Sequence, residues 1–165
     1  MPDTTEIVIN TGPIIALVAA LGDLDVLGLY DRVWVPFEVC QEVLMGGPLG
    51  FAVPEFQAAD RLRKGETPLD IAPMLANSLD WGEAAVIQMA LNGGIQTVCI
   101  DEVAGRRVAR LNGLSVTGSV GVLLRARREG YQFSMRSATQ RMRQRGVWLS
   151  QRVVNFAHAR AGEDL

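Results

Sequence analysis

The stretch QTVCIDEVAGRRVARLNGLSVTGSV, residues 96–120, decides the fold. Gln96 to Ile100 is a short apolar run rich in β-branched residues, flanked by Gly93-Gly94 and Asp101. Such a run predicts a strand buried on both faces. Val103 to Leu111 predicts a helix, stopped by Asn112-Gly113. Leu114 to Val116 is a second short strand, and Gly118 to Glu129 a second helix ending at Gly130. Strand, helix and strand in this order predict parallel pairing through a helical crossover.

The same rhythm extends outward. Upstream, Glu6 to Asn10 (EIVIN) is a buried strand that ends at Thr11-Gly12-Pro13. Pro13 opens an apolar helix to about Ala20, because proline suits a first helical turn. A short helical piece covers Leu24 to Tyr30, and Val33 to Val35 is a strand. Pro36 opens a helix to about Met45, stopped by Gly46-Gly47-Pro48. Residues 48–54 read as loop, Gln57 to Lys64 as helix, and Thr67 to Pro73 as undecided. Asp80 starts a helix that runs to Leu91. Downstream, Ser134 to Arg145 and Ser150 to Arg160 read as two further helices. The expectation is one domain over residues 1–165, a central parallel sheet with helices on both faces, and an arginine-rich helical part over about 118–160.

Composition removes several chemistries. The chain has 165 residues, 48% hydrophobic and 21% charged. Its longest apolar run, Pro13 to Gly22, is too short to cross a bilayer. Asp3 and Glu6 before the first apolar stretch argue against a signal peptide, so a cytoplasmic location is expected. Cys40 and Cys99 then read as buried thiols rather than a disulfide. One histidine, His158, and two cysteines cannot build the usual four-ligand zinc site. No phosphate-loop, nucleophile-elbow or dinucleotide fingerprint is present. Carboxylates and arginines remain, and they are segregated. Residues 1–102 hold 15 Asp and Glu against 4 Lys and Arg; residues 103–165 hold 3 against 12. Arginine forks suit phosphate, although solvated helix faces would give the same count.

In a parallel sheet, strand carboxyl ends and the following helix N-termini share one edge, where ligands bind. Asn10 closes the first strand, and Asp101 and Glu102 close the QTVCI strand. Glu38 and Glu42 lie four residues apart early in the helix after Val35, and Glu83 lies in the first turn of its own helix. Thr117 and Ser119 flank the start of the helix after Val116. Asn10, Glu42, Glu83 and Asp101 thus reach one edge from four segments. Clustered carboxylates repel until a cation joins them, and Mg²⁺ or a similar hard ion suits oxygen donors. Each residue also has a plainer explanation. Asp80 and Glu83 have capping-box spacing, Glu38 and Glu42 can be solvated, and Glu102 is a first-turn acid. Ser119 fits an N-cap, Thr117 a turn, and Asn10 a turn amide.

These residues resemble a family. Val8 to Leu17 (VINTGPIIAL) resembles the opening of PIN-domain proteins, which usually carry an acid at the Asn10 position. Pro36 to Val43 (PFEVCQEV), Gly82-Glu83-Ala84-Ala85 and Ile100-Asp101-Glu102 resemble the next blocks. Gly105 to Leu111 (GRRVARL) and Val116 to Leu123 (VTGSVGVL) look like a PIN-like subgroup regarded as nucleic-acid-binding. The resemblance is weakest over residues 48–78. It implies a three-layer α/β/α sandwich and Mg²⁺- or Mn²⁺-dependent cleavage of RNA by activated water. It further implies a toxin of a type II toxin–antitoxin module, commonly dimeric and restrained by a small antitoxin.

Transferred by position, the resemblance makes Asp101, Glu83 and Glu42 the catalytic acids. The same three, with Asn10, Ser119 and Thr117, become the metal-site candidates. Arg106 and Arg107 become phosphate contacts. From the charge split, Arg125, Arg127, Arg128, Arg141, Arg143 and Arg145 are expected to hold the RNA backbone or an acidic antitoxin segment. Asn10 in place of an acid still offers an oxygen but no charge. A catalytically weak module that binds RNA or a protein partner is therefore the alternative. A small-molecule enzyme on a Rossmann-like sheet lacks its glycine fingerprint.

Overall fold

Five strands, β1 (Glu6–Ile9), β2 (Arg32–Val35), β3 (Leu62–Lys64), β4 (Thr97–Cys99) and β5 (Ser115–Thr117), form one parallel sheet in the order β3-β2-β1-β4-β5. They come from a computed structural model, which describes residues 5–46 and 50–163. Ile7 pairs with Val33 on one side and Thr97 on the other, and Val33 and Thr97 pair onward with Leu62 and Ser115. The central strands are apolar throughout because both faces are covered: Ile7, Val8, Ile9, Val98 and Cys99 are buried completely. Each large aliphatic side chain so buried stabilises the fold by about 1.5–3 kcal/mol.

The chain runs outward from β1 to β3, then returns past β1 to β4 and β5. Right-handed crossovers place the connections of these two halves on opposite faces, and the reversal opens a crevice beside the carboxyl ends of β1 and β4. Helix α1 (Thr11–Leu21) is buried at Ile14, Ala16, Leu17, Val18, Ala19 and Ala20. Helices α7 (Ser119–Arg128) and α8 (Met135–Gln144) pack on α1. Helix α5 (Trp81–Gly93) lies against β1 and β4 and touches α2 (Phe37–Leu44), α4 (Pro73–Ser78) and α6 (Val103–Leu111). Helix α2 touches both α1 and α5. The α/β/α sandwich expected from the sequence is the observed architecture.

Three readings need correction. Gln57–Lys64 is not a helix: α3 (Val53–Ala58) ends, and β3 follows as an edge strand paired to β2. The supposed loop 48–54 already contains the start of α3, while residues 47–49 lie outside the described residues. Helix α1 begins at Thr11, two residues before Pro13.

The C-terminal helices are tied down by charge as well as by packing. Glu163, beyond α9 (Gln151–Arg160), accepts the backbone N–H groups of Met135 (2.6 Å) and Arg136 (3.2 Å), the Ser134 hydroxyl (3.0 Å) and Arg127 (2.6 Å). Burial pushes this carboxyl up, but those four donors outweigh it and hold it at about 2. Glu163→Ala removes the partner of two N-terminal N–H groups of α8. A loss of about 1–3 kcal/mol is expected in urea unfolding near pH 7. The lowered pKa places this contribution above the ordinary value of 4.5, and it fades as pH falls towards about 2. The variant and the parent should therefore converge in strong acid. The single histidine is also structural: His158 is buried, with Nε2 3.1 Å from the Thr139 hydroxyl. Because that hydroxyl donates to a backbone carbonyl of α8, His158 Nε2–H is the donor.

Candidate metal and nucleic-acid site

At the crevice, the Asn10 N–H donates to the Cys99 carbonyl (3.0 Å), locking the ends of β1 and β4 together. Asn10 precedes α1, yet its side chain makes no capping bond. Its Oδ1 is buried and has no hydrogen-bond partner, so the plain reading as a turn amide fails. Glu42 reaches across from α2. Its Oε2 accepts the Thr11 hydroxyl (3.1 Å), and the N–H of Gly82 also bonds this carboxylate. Burial raises its pKa, the Thr11 hydroxyl lowers it, and the nearby Asp80 carboxylate raises it again.

Glu83 sits in the first turn of α5 and is buried. Asp80 caps that helix by accepting the Glu83 N–H (2.9 Å), so half of the capping box is real. Glu83 Oε2 is nevertheless buried without a partner. Burial, then Asp80 and Glu102, push the Glu83 carboxyl up to about 8. Asp101, just past β4, accepts the Ser119 N–H on Oδ1 and the Ser119 hydroxyl on Oδ2, each at 2.8 Å. Ser119 is therefore not the N-cap of α7, which is Gly118; its buried hydroxyl holds Asp101 in place. Glu102 is exposed and makes no cap bond. Glu38 makes none of these contacts: it is buried, its Oε2 accepts the Leu69 N–H (2.8 Å), and its Oε1 is buried without a partner.

Glycines create the room for these side chains. A Cβ on Gly82 would lie 2.2 Å from Glu42 Oε1 and 3.1 Å from Asn10 Oδ1, so both oxygens crowd one bare patch of α5. A Cβ on Gly105 would lie 2.2 Å from Glu83 Oε2. One on Gly118 would meet Asp101 Oδ1 at 2.5 Å, and one on Gly121 would meet Thr117 Oγ1 at 2.5 Å. Four helix-start glycines thus each face an oxygen of a candidate residue. The sequence reading missed them, along with the membership of Asp80. For Gly82, Gly105 and Gly121 the signal was glycine inside the first turns of α5, α6 and α7, where it weakens a helix by about 1 kcal/mol without a visible turn requirement; Gly118, at an N-cap, gave none.

The arginines divide differently from expectation. Arg106 donates to the Ile100 carbonyl (2.8 Å) and lies beside Asp101 and Gly118. Arg107 is exposed on α6. Arg125 pairs with Glu129 (2.6 Å) and stacks on Tyr30; Arg127 binds Glu163 and the Phe133 and Ala161 carbonyls. Arg141 donates to the Ala20 carbonyl, Arg143 to that of Leu149, and Arg145 lies over Phe51. Arg125, Arg127 and the exposed Arg128 stand six to nine residues along α7 from Ser119, about 9–14 Å at 1.5 Å per residue. They occupy the other end of the helix from Asp101, and each of the six expected backbone-holding arginines has an interaction within the chain.

The donor set fits a hard divalent cation. It is all oxygen, it contains two buried oxygens without partners, and its two glutamates have raised pKa values that a cation would reverse. Among the described residues, however, no three Asp, Glu, His or Cys side chains stand close enough to chelate one ion. The acids form a ring of separate positions, linked by glycine patches and hydrogen bonds.

Comparison with known proteins agrees with this geometry. A family model described as a PIN domain matches residues 6–163. No curated protein and no solved structure gives a significant match. The PIN fold is a nuclease-type fold. The match covers every strand, all of the candidate acids and the arginine-rich helices, and so the chain belongs to the PIN-domain family.

Proposed function

We propose that the protein is a metal-dependent ribonuclease that hydrolyses RNA phosphodiester bonds with water. The observation that supports this reading is that Glu42 Oε1 and Asn10 Oδ1 face the same bare patch of α5 next to Glu83, with Asn10 Oδ1 and Glu83 Oε2 buried and unpartnered, and Asp101 follows β4 at the same sheet edge. Glu42, Glu83, Asp101 and Asn10 would hold Mg²⁺ or Mn²⁺, with Ser119 and Thr117 as auxiliary oxygens. Bound there, the cation lowers the pKa of a water and offsets the charge gained by the phosphoryl group. The rest falls to the chain. Ser119 orients Asp101 through both of its oxygens. Without a cation Glu83 keeps a proton up to about pH 8, and a cation held by its carboxylate would displace that proton. Arg106 and Arg107, at the start of α6, are the cations placed to meet a phosphate beside Asp101.

In its fuller form the proposal makes the protein a cytoplasmic, homodimeric toxin of a type II module, restrained by a small antitoxin. This part rests on the resemblance to PIN-domain toxins described from the sequence. Growth arrest on induction, relieved by a small protein encoded next to it, is the test. Among the described residues no helix is long and apolar enough to cross a membrane.

The deciding experiment is cleavage of a mixed RNA pool with Mn²⁺, Mg²⁺ or EDTA, with Asp101→Asn purified identically. Cleavage that needs metal and vanishes in the variant supports the nuclease. Equal cleavage by both exposes a contaminating enzyme and withdraws support. A second reading has its own observation: Asn10 brings no charge, and no three described acids chelate one ion. It is a PIN module that binds RNA or a protein without cutting. RNA binding by folded protein with no metal-dependent cleavage would establish it.

A further inference from the structure

We infer that Trp81 is a stacking platform for a nucleobase of the single-stranded RNA next to the bond being cut. The inference rests on the ribonuclease reading and adds the group that grips the substrate. Trp81 is the first residue of α5, between Asp80, which caps the helix, and Gly82, whose bare surface faces Glu42 and Asn10. It is 56% exposed. Glu83, two residues on in the same helix, reaches the bare surface of Gly105 in α6. Glu102 acts electrostatically on Glu83, which places the two helix starts side by side. Trp81 therefore opens the helix that carries Glu83, next to the glycine that meets Glu42 and Asn10, with its indole open to solvent.

An exposed tryptophan costs water contact and is normally put to use in packing. Trp34 shows the contrast: it is half-buried, donates to Glu6 and lies under Arg63. Trp81 has no such occupation. The rim itself explains what it would hold. Glu42, Asp80, Glu83, Asp101 and Glu102 outnumber Arg106 and Arg107 at this mouth, and Arg106 is engaged by the Ile100 carbonyl, while Arg125 and Arg127 are engaged at the other end of α7. A bare phosphate backbone is repelled by such a mouth until a cation is present. Affinity that does not depend on charge must come from the bases. Every base has a π-face, and stacking on an aromatic side chain strengthens binding about 5- to 150-fold per base. Indole offers the largest such surface, and its contribution is insensitive to salt, unlike phosphate contacts.

The test uses the full chain carrying Glu83→Gln, to suppress cleavage, and Trp148→Phe, to reduce the fluorescence background. A single-stranded oligoadenylate about ten nucleotides long is titrated at low and high salt, with Mg²⁺ present. Binding is read in every variant from the fluorescence anisotropy of a label on the oligoadenylate, and in the parent it should also quench tryptophan emission. Trp81→Ala should weaken binding about 10-fold, by the same factor at both salt concentrations, and Trp81→Phe should keep most of the affinity. Circular dichroism melts of the variants should match the parent, since the side chain is exposed. In the active protein, Trp81→Ala should raise KM more than it lowers kcat. Unchanged affinity in Trp81→Ala, with metal-dependent cleavage intact, overturns the platform and leaves the nuclease standing. Equal losses in Trp81→Ala and Trp81→Phe also overturn it, because a phenyl ring still stacks. A folded protein that neither binds nor cleaves RNA overturns both.

Discussion

Gly82→Ala is expected to lower metal-dependent RNA cleavage about 10²-fold while changing stability by no more than about 1 kcal/mol. The added Cβ would stand 2.2 Å from Glu42 Oε1 and 3.1 Å from Asn10 Oδ1. Ordinary contact starts near 3.4 Å, so the Glu42 carboxylate must retreat by more than an ångström. It is the end of a flexible side chain, and the movement is cheap. Alanine also favours the helix by up to about 1 kcal/mol over glycine. Those terms partly cancel the lost bond between the Gly82 N–H and Glu42. The melting temperature should stay within about 2–4 °C of the parent, the shift produced by about 1 kcal/mol in a chain of this size. Catalysis is less forgiving, because an ångström of misplacement at a reacting centre costs about 10²-fold. Gly105→Ala provides the contrast. Its Cβ meets Ile100 Cγ2 at 2.9 Å as well as Glu83, and Ile100 is fully buried, so that variant loses stability together with activity. The two variants are compared by cleavage rate and thermal melt. Full activity in Gly82→Ala would remove Glu42 and Asn10 from the reacting centre.

That contrast also marks what the sequence could reveal. EIVIN and QTVCI were legible because central parallel strands must be apolar on both faces, and no helix of five residues would account for them. Their end residues, Asn10 and Asp101, followed directly, since topology fixes which end of a parallel strand meets ligands. Leu62 to Lys64 was not legible. As an edge strand it buries only Leu62 deeply, and its arginine and lysine are good helix formers; pairing with β2 overrides that preference. The arginines misled for a related reason. Composition counted twelve over residues 103–165 but could not tell which of them would stand near the carboxylates. Arg127 reads as a phosphate ligand until Glu163, thirty-six residues later, folds back onto it. Asp80 was read as a cap, which it is, and the same carboxylate presses on both Glu42 and Glu83. One residue filled two roles, and spacing exposed only the local one.

Glu83→Gln is expected to have the largest effect on both chemistry and pH response. Removing one preorganised electrostatic group from a buried site costs about 10²–10³-fold in rate. The stability change is equally diagnostic. In the metal-free protein, burial and the neighbouring Asp80 and Glu102 raise Glu83 from its ordinary value of 4.5 to about 8. Between those values the folded state keeps a proton that the unfolded chain has lost. The folded state binds more protons, so unfolding free energy falls as pH rises through this window. The contribution is complete below about pH 4.5 and gone above about pH 8. A glutamine cannot lose the proton. The variant should melt with the parent near pH 5 and above it near pH 8, in EDTA. Mn²⁺ or Mg²⁺ should reverse the order. A cation that binds the folded state stabilises it by RT ln(1 + [M]/Kd), and it binds the carboxylate form, so the parent gains most at high pH. The glutamine variant, with one charge fewer, gains less at every pH. Thermal melts of both proteins from pH 5 to 8, with EDTA and with Mn²⁺, read this crossing directly. Parallel profiles in EDTA would mean that Glu83 ionises in the ordinary carboxyl range. Equal gains from Mn²⁺ in both proteins would mean that the cation is held elsewhere, and Glu83 would lose its place among the metal ligands.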